Sequence, residues 1–212
     1  MNLPTKAIKG LYAVTPDLDD TDRLRIMTSA ALAGGTRIVQ YRNKTAGPEL
    51  RRIQTRMLLE LCNQQSATLI VNDHVALAAE IGAHGAHIGG EDGSLAEARK
   101  VLGPGKLIGV SCYRNLDQAR AAANGGADYI AFGSFYASSV KPSAVRAPLS
   151  LLTSARALGV PVVAIGGITP DNAGALVEAG ADAVAVISAL YSAPDITATA
   201  RQFCQLFEAS TS

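Results

Sequence analysis

The sequence predicts a single-domain α/β protein, a (β/α)8 barrel of the TIM-barrel type over residues 1–212. Three observations predict it. The chain holds eight short apolar, β-branched segments, most of them continuously apolar, as in parallel strands buried on both faces. Helical start and stop signals lie between them. The segments begin about 20 to 30 residues apart, which leaves room for a helical crossover each time. Eight such units favour a closed barrel over an open doubly wound sheet.

The predicted strands follow one another without a linker or a composition shift that would divide the chain. Between them, Ser94 with Glu97 predicts a capping box, and Thr169 before Pro170 predicts an N-cap with proline at the first helical position. Gly180 is predicted to end the helix that begins at Pro170. The predicted strands cover residues 11–15, 38–42, 68–72, 86–89, 107–111, 129–133, 162–167 and 183–188.

The composition excludes several classes of function. Hydrophobic residues make up 48% and charged residues 17% of the chain, which supplies a core and excludes wholesale disorder. The net charge of +1 gives no global field to attract nucleic acid or an anionic membrane. Aromatic residues, at 5%, are too few for stacking on single strands. Any anionic ligand must therefore be held by a local cluster of charges.

The sequence also predicts where the protein works. No apolar run approaches the roughly 18 residues that span a bilayer, and the first residues lack an apolar signal region. The three cysteines, Cys62, Cys112 and Cys204, are widely separated and do not resemble a disulfide scaffold. We expect a cytoplasmic protein with small-molecule partners and with neither nucleic acid nor membrane as a partner.

Polar side chains collect at the carboxyl ends of the predicted strands, where barrels of this kind place their active sites. Gln40, Arg42 and Lys44 follow the second strand, and their alternation puts them on one side of an extended segment. Asn72 and Asp73 end the third strand. The later strands lead to His87 and then Asp92, to Ser111, to Ser138, Ser139 and Lys141, to Gly166 and Gly167, and to Ile187 and Ser188.

Two carboxylates in this set predict a metal site. Asp73 and Asp92 follow neighbouring strands, and Arg42, Lys44 and Lys141 would share their rim. Carboxylates alone indicate a divalent cation, whereas carboxylates beside basic side chains indicate a metal that bridges to a phosphate-rich ligand. Mg²⁺ fits best, since it is usually held by one or two carboxylates together with substrate phosphates.

A second anion site is predicted beside the first. The ends of the seventh and eighth strands meet there, and Gly166 and Gly167 would let backbone N–H groups approach a ligand closely. Barrels commonly bind a phosphate monoester at this place. A diphosphate site and a monophosphate site in one mouth suit an enzyme that joins two substrates.

Structural explanations stay open for these residues. Asp92 could cap the helix that follows it, and Asn72 with Asp73 could cap a helix that starts near Val75. Lys141 could be a solvated loop lysine. The two glycines could form nothing more than a tight turn.

The histidines and the cysteine near the strand ends are interpreted as structural. No Cys/His spacing supports zinc, so His74, His84 and His87 are expected to pack or to form hydrogen bonds. Cys112 follows Ser111, but no histidine lies near it in sequence, and a nucleophilic role is not expected.

The string Val-Gln-Tyr-Arg-Asn-Lys at residues 39–44 resembles the thiamine phosphate synthase family. The resemblance covers about residues 11–190 and includes 11–15, 70–73, 87–92, 109–111, 164–168 and 186–189. Its most specific part is the Gln-x-Arg-x-Lys pattern followed by Asn-Asp, whereas Gly-Gly alone is not specific.

The resemblance implies a reaction and its substrates. In this family, 4-amino-2-methyl-5-hydroxymethylpyrimidine diphosphate first loses its diphosphate, with assistance from Mg²⁺. The nitrogen of a thiazole phosphate (4-methyl-5-(2-phosphoethyl)thiazole, carboxylated form) then captures the pyrimidine-methylene cation. The products are thiamine phosphate and diphosphate. Because the cation would react with water, the site is expected to close during the reaction. The loop over residues 134–147 is the candidate lid.

The resemblance also assigns residues. Asp73 and Asp92 would bind Mg²⁺. Catalysis would depend on Arg42, Lys44, Lys141 and Ser111. The residues implied in binding the pyrimidine diphosphate are Gln40, Tyr41, Arg42, Asn43, Lys44, Asn72, Ser111 and Lys141. Those implied in binding the thiazole phosphate are Ser138, Ser139, Val140, Gly167, Ile187 and Ser188.

The chain departs from the family pattern at a few positions. Gly90 stands where Gln is usual, and Cys112 and Tyr113 stand where Thr-His is common. Val140 lacks a hydroxyl that the family's run before Lys141 carries. A lost hydrogen bond to a charged phosphate costs about 1.5 to 3 kcal/mol, so we expect weaker thiazole binding rather than a different reaction.

Three other functions remain to be weighed. A thiazole tautomerase of the same fold would need neither a pair of metal-binding carboxylates nor a diphosphate clamp. A non-catalytic, ligand-sensing barrel is favoured only by the altered run at 137–140. A phosphate-sugar epimerase would leave Gln40, Arg42 and Lys44 without a role.

Overall fold

Eight parallel strands close into a barrel in which each strand pairs with its neighbours in sequence and β8 pairs with β1. The computed structural model describes residues 8–89, 94–137 and 146–209. A helix or helical turn follows every strand in this part of the chain. The predicted (β/α)8 fold class is confirmed.

The strands alternate with helices along the chain. The strands are β1 (Gly10–Val14), β2 (Ile38–Tyr41), β3 (Thr68–Asn72), β4 (Gly85–Ile88), β5 (Leu107–Tyr113), β6 (Tyr129–Gly133), β7 (Val162–Ile165) and β8 (Ala183–Val186). The helices are α1 (Thr21–Ala33), α2 (Pro48–Gln64), α3 (Val75–Ile81), α4 (Leu95–Leu102), α5 (Leu116–Asn124), α6 (Ser150–Ala155), α7 (Pro170–Glu178), α8 (Ser188–Tyr191) and α9 (Ile196–Ala209), with a 3-10 turn at Arg156–Leu158.

Each strand overlaps its predicted range; β1, β2 and β4 end one residue earlier than the sequence predicts, and β7 and β8 end two residues earlier. The apolar run at 162–167 continues into Gly166 and Gly167, whose φ angles of 107° and 64° take the backbone out of the extended region. Ser188 is not the end of β8 but the first residue of α8. Conversely, β5 runs on to Tyr113 through an irregularity in its pairing with β6.

Apolar side chains are buried in two layers. Large residues such as Tyr12, Ile38, Ile70 and Tyr129 fill the inside of the barrel. Alternate residues on the same strands face outward and pack under the helices, as Leu11 and Val71 do. This alternation decides which residue of each strand end can look into the mouth of the barrel.

The predicted helix boundaries match the structure closely. Ser94 and Glu97 form the capping box at the start of α4. Thr169 is the N-cap of α7, and Gly180 lies just beyond its end with φ 110°. Along the described ranges, no helix combines the length and the apolar character that crossing a bilayer requires.

Candidate active site

A cavity of about 460 Å³ opens at the carboxyl ends of the strands. Side chains or backbone from all eight strands or the loops after them line it. Seven of the site residues expected from the sequence line this cavity together: Gln40, Arg42, Lys44, Asn72, Asp73, Ser111 and Ile187. The predicted alternation of Gln40, Arg42 and Lys44 onto one side is what the structure has.

Arg42 is held in place from two directions. Its backbone N–H donates to Thr15 Oγ1, and that hydroxyl donates to the Arg42 carbonyl, both at 2.8 Å, which ties the end of β2 to the end of β1. Its guanidinium Nη1 lies 3.0 and 3.2 Å from the two carboxylate oxygens of Asp17. Asp17 also accepts a 2.7 Å bond from the Lys44 backbone N–H. The two expected cations are therefore organised by one carboxylate.

Asp17 and Arg114 are polar residues at the mouth that the sequence analysis missed. Asp17 lies just after β1, and Arg114 lies just after β5 and lines the cavity. The signal that identified the other residues, a charged side chain just beyond a predicted strand, would have found both. Lys44 also lines the cavity, and none of the salt bridges among the described residues includes it.

Asp73 adopts an unusual backbone conformation at the end of β3. Its φ is 61°, in the left-handed region that Asp and Asn tolerate better than other side chains with a Cβ. Its Oδ2 accepts a 2.6 Å hydrogen bond from Asn72 Nδ2, and its backbone N–H donates to the His87 carbonyl. The N-cap of α3 is His74, so Asp73 does not occupy the capping position that was its structural alternative.

Ser111 reaches the cavity from β5 and is bound to a histidine. Its Oγ lies 2.8 Å from His87 Nε2, and His87 Nδ1 lies 3.1 Å from the hydroxyl of Tyr129. The expected hydrogen-bonding role of His87 is confirmed, but this histidine also lines the cavity. Burial raises the pKa of the Tyr129 phenol well above its ordinary value.

The side chains of Tyr41 and Asn43 point away from the cavity. Tyr41 donates to Gln54 Oε1 of α2 at 2.8 Å. The Asn43 amide donates to the Leu18 carbonyl and Gln54, while its oxygen accepts from residues 45 and 46. Both side chains are occupied by these bonds. Of these two expected binding residues, only the main chain could still contact a ligand.

A second cavity, of about 360 Å³, lies beside the first and shares part of its wall with it. Gly167, Ile187 and Ser188, three of the residues expected at the thiazole phosphate, line it. A Cβ on Gly167 would lie 2.3 Å from the Ala137 carbonyl oxygen. The glycine is thus required by the close approach of the loop after β6.

Several expected site residues lie outside the described ranges: Asp92, Ser138, Ser139, Val140, Lys141 and the variant position Gly90. Most of the candidate lid falls there too. Within the described ranges, no three His, Cys, Asp or Glu side chains are grouped so that they could hold a metal ion by themselves. Asp73 is the predicted metal ligand that the structure describes.

Comparisons with known proteins agree with the motifs. The model of the thiamine monophosphate synthase family matches residues 11–190. A thiamine-phosphate synthase from Methylobacillus flagellatus is 56% identical over 200 residues, which is 94% of this chain and 96% of that protein. One from Nitrosomonas eutropha is 52% identical over 201 residues, 94% and 95% of the two chains.

Solved structures give the same result. Thiamine phosphate pyrophosphorylase from Pyrococcus furiosus superposes with a TM-score of 0.85 and is 30% identical, covering 98% of this chain and 99% of its own. The GGGPS of Thermoplasma volcanium, at 13% identity and a TM-score of 0.72 over 99% and 98% of the two chains, shares the fold alone. The family match over most of the sequence and the identities above 50% lead to one conclusion: the chain belongs to the thiamine monophosphate synthase family.

Proposed function

We propose that this protein is a thiamine-phosphate synthase, a transferase that joins a pyrimidine diphosphate to a thiazole phosphate and releases diphosphate. The family match over residues 11–190 supports the activity and its enzyme class. The observation that carries the assignment to this site is the convergence of Arg42, Lys44 and Asp73 on one cavity of about 460 Å³. A cavity of this size suits a ring with a diphosphate.

Arg42 and Lys44 form the proposed diphosphate site. A guanidinium offers paired N–H donors to phosphate oxygens, and an ammonium adds a compact charge. The Arg42 side chain is 17% exposed, so water screens its charge less than it screens a surface arginine. These two cations act most strongly when the diphosphate gains negative charge as its bond to the methylene carbon breaks.

Asp73 fits the proposed magnesium site in its chemistry. One carboxylate oxygen is occupied by the Asn72 amide, and the side chain lines the cavity beside Arg42 and Lys44. One or two carboxylates plus substrate phosphates are the usual magnesium ligands, and Asp92 would be the second. When bound, Mg²⁺ would neutralise charge on the diphosphate.

The remaining side chains of the cavity orient the pyrimidine and exclude water. We assign its polar contacts to Gln40, Asn72 and Ser111, all at the mouth. Apolar residues of the barrel interior, Val163 and Ala185 among them, form the floor. Cys112 is not the nucleophile: burial raises the pKa of its thiol to about 12, which keeps it protonated and unreactive.

The second cavity is the proposed site of the thiazole phosphate. Gly167, Ile187 and Ser188 line it, and Ser138, Ser139 and Val140 are assigned to it from the sequence. The wall that it shares with the first cavity would bring the thiazole nitrogen close to the methylene carbon of the pyrimidine. Lys141 is assigned to the diphosphate from the sequence.

One experiment tests the function directly. The purified protein is mixed with both substrates, with and without Mg²⁺, and thiamine phosphate is sought by mass spectrometry. We expect product only when both substrates and Mg²⁺ are present. A tautomerase or a ligand-sensing barrel would yield none. The buried or half-buried free cysteines, Cys62, Cys112 and Cys204, support the further proposal that the protein works in the cytoplasm.

A further inference from the structure

A continuous chain of hydrogen bonds crosses the inside of the barrel beneath the cavity. Gln40 Nε2 donates to the Tyr12 hydroxyl at 2.8 Å, and the hydroxyls of Tyr12 and Tyr129 are 2.8 Å apart. The Tyr129 hydroxyl is 3.1 Å from His87 Nδ1, and His87 Nε2 is 2.8 Å from Ser111 Oγ. Four bonds thus link a residue at the mouth on β2 to a residue at the mouth on β5.

The donor at Gln40 sets the direction of the whole chain. Tyr12 accepts from Gln40, and no described residue other than Gln40 and Tyr129 bonds to its hydroxyl. If Tyr12 also accepted from Tyr129, its own buried proton would have no acceptor, which is unfavourable inside a protein. Tyr12 therefore donates to Tyr129.

The same reasoning carries the direction to the far end. Tyr129 has accepted from Tyr12, so its proton goes to His87 Nδ1, which must be unprotonated. A neutral imidazole then carries its proton on Nε2 and donates it to Ser111 Oγ. The Ser111 hydroxyl proton is left to point into the cavity.

We propose that Tyr12, Tyr129 and His87 are positioning residues that present Ser111 to the pyrimidine substrate as a hydrogen-bond donor. This inference rests on the proposed function, because it deepens the role of the pyrimidine site. At the other end, the side-chain amide of Gln40 donates to Tyr12 through its nitrogen, so its Oε1 is left as a hydrogen-bond acceptor for the substrate. A ring with basic nitrogens and an amino group, such as an aminopyrimidine, meets a donor on one side of the barrel and an acceptor on the other.

Packing keeps this chain in one geometry. The rings of His87 and Tyr129 are stacked with their centroids 5.6 Å apart, and Tyr12 meets Tyr129 edge-on at 6.0 Å. Burial raises the pKa of both tyrosines, so both remain phenols that can donate. Reversing the direction of any one of these hydrogen bonds requires all four to reverse. The orientation of the Gln40 amide and that of the Ser111 hydroxyl are therefore coupled.

The first test reads the position of the histidine proton without measuring activity. In protein labelled with ¹⁵N-histidine, long-range ¹H–¹⁵N spectra distinguish a protonated ring nitrogen from a bare one. His84 is an internal reference, because its Nδ1 accepts from the Leu69 backbone N–H at 2.9 Å and must be bare. We expect His87 to show the same pattern as His84. In Tyr129→Phe, His87 alone should move towards a mixture of tautomers.

The second test asks whether Tyr129 acts through Ser111. We expect Tyr129→Phe to lower kcat/KM for the pyrimidine substrate roughly 10-fold, the loss of one hydrogen bond's worth of orientation. In a Ser111→Ala background the same substitution should cause less than about a 2-fold further loss, because the hydroxyl that it positions is gone. A merely structural role of Tyr129 would give the same loss in both backgrounds.

The controls separate positioning from folding. Tyr191→Phe removes another fully buried phenol, which pairs with Thr28 at 3.3 Å away from this chain, and should leave kcat/KM unchanged. Tyr12→Phe breaks the chain one bond earlier, should also disturb the tautomer of His87, and serves if Tyr129→Phe does not fold. A proton on His87 Nδ1 in the unaltered protein would overturn the proposal. So would an equal loss of kcat/KM from Tyr129→Phe in the unaltered protein and in the Ser111→Ala background. A protein without synthase activity would still answer the first test.

Discussion

At the scale of single residues, the mouth of the barrel depends on carboxylates that hold other groups in place. Asp17 touches both the Arg42 guanidinium and the Lys44 backbone. It lies in the loop after β1, apart in sequence from both partners. Removing it should leave the cations present but poorly oriented.

We predict that Asp17→Asn lowers kcat/KM by about 10- to 100-fold, because loss of a charged orienting partner commonly weakens a site by that amount. Steady-state kinetics with the pyrimidine substrate varied would measure it. Asp22→Asn is the matched control, since Asp22 pairs with Arg25 only at 3.6 Å on the exposed face of α1. Equal kinetics for the two variants would show that Asp17 has no positioning role.

A second prediction concerns Asp73. Both Asp73→Ala and Asp73→Asn should abolish Mg²⁺-dependent turnover. Asparagine tolerates the φ of 61° better than alanine, so Asp73→Asn should keep the melting temperature while Asp73→Ala loses a few degrees. Product formation and thermal unfolding, measured side by side, separate the chemical effect from the backbone effect. Normal turnover in Asp73→Asn would remove this residue from the metal site.

At the scale of elements, the strands differ in how closely they let side chains approach. Gly109 lies in the middle of β5, and a Cβ there would lie 2.0 Å from the Tyr129 ring on the neighbouring β6. The ring lies directly against the backbone of its neighbour, which brings its hydroxyl into the hydrogen-bond chain. The glycine is needed for space and not for a special φ.

We predict that Gly109→Ala destabilises the protein by about 1 to 3 kcal/mol, the usual cost of overpacking a core, and lowers activity by displacing Tyr129. Gly174→Ala is the control: nothing lies within 4 Å of its Cβ position in α7, and alanine there should stabilise the helix by about 0.4 to 1 kcal/mol. Urea unfolding measures both. The explanation fails if the two variants are equally stable.

At the scale of the whole molecule, the barrel buries groups that ionise only at high pH. Burial raises the pKa of Tyr12, Tyr129 and Tyr191, and raises that of Cys62 and Cys112 to about 12. In the unfolded chain these phenols and thiols lose their protons near their ordinary pKa values. The folded state keeps these protons up to a higher pH. Ionisation therefore stabilises the unfolded state first, and the free energy of unfolding falls as the pH rises.

We therefore predict that these phenols and thiols cost no stability at neutral pH and that stability declines above about pH 8, most steeply beyond about pH 10, where free phenols ionise. Each buried tyrosine should contribute a slope of about 1.4 kcal/mol per pH unit. Urea unfolding between about pH 8 and 11 would measure this decline, and Tyr191→Phe should reduce the slope by the share of one tyrosine. An unchanged slope in that variant would contradict the prediction.

The sequence by itself determined the order of the strands and the polar residues at their ends. Apolar runs, caps and strand-end side chains are local features, so residues 38–44 and 68–73 could be interpreted without knowing what they touch. Alternation was enough to place Gln40, Arg42 and Lys44 in one cavity. It also implied that Tyr41, between them, would face the other way, a consequence that the motif alone obscured.

Only the tertiary structure decided which residues support the site from behind. Tyr12 and Tyr129 are 117 positions apart, and His87 and Ser111 are 24 apart, yet they form one chain of hydrogen bonds. In the sequence the tyrosines belong to apolar strands and read as core. No local pattern contains such contacts. Closure of the barrel turns the side chains of distant strands towards one another, and this brings the hydroxyls of Tyr12 and Tyr129 within 3 Å.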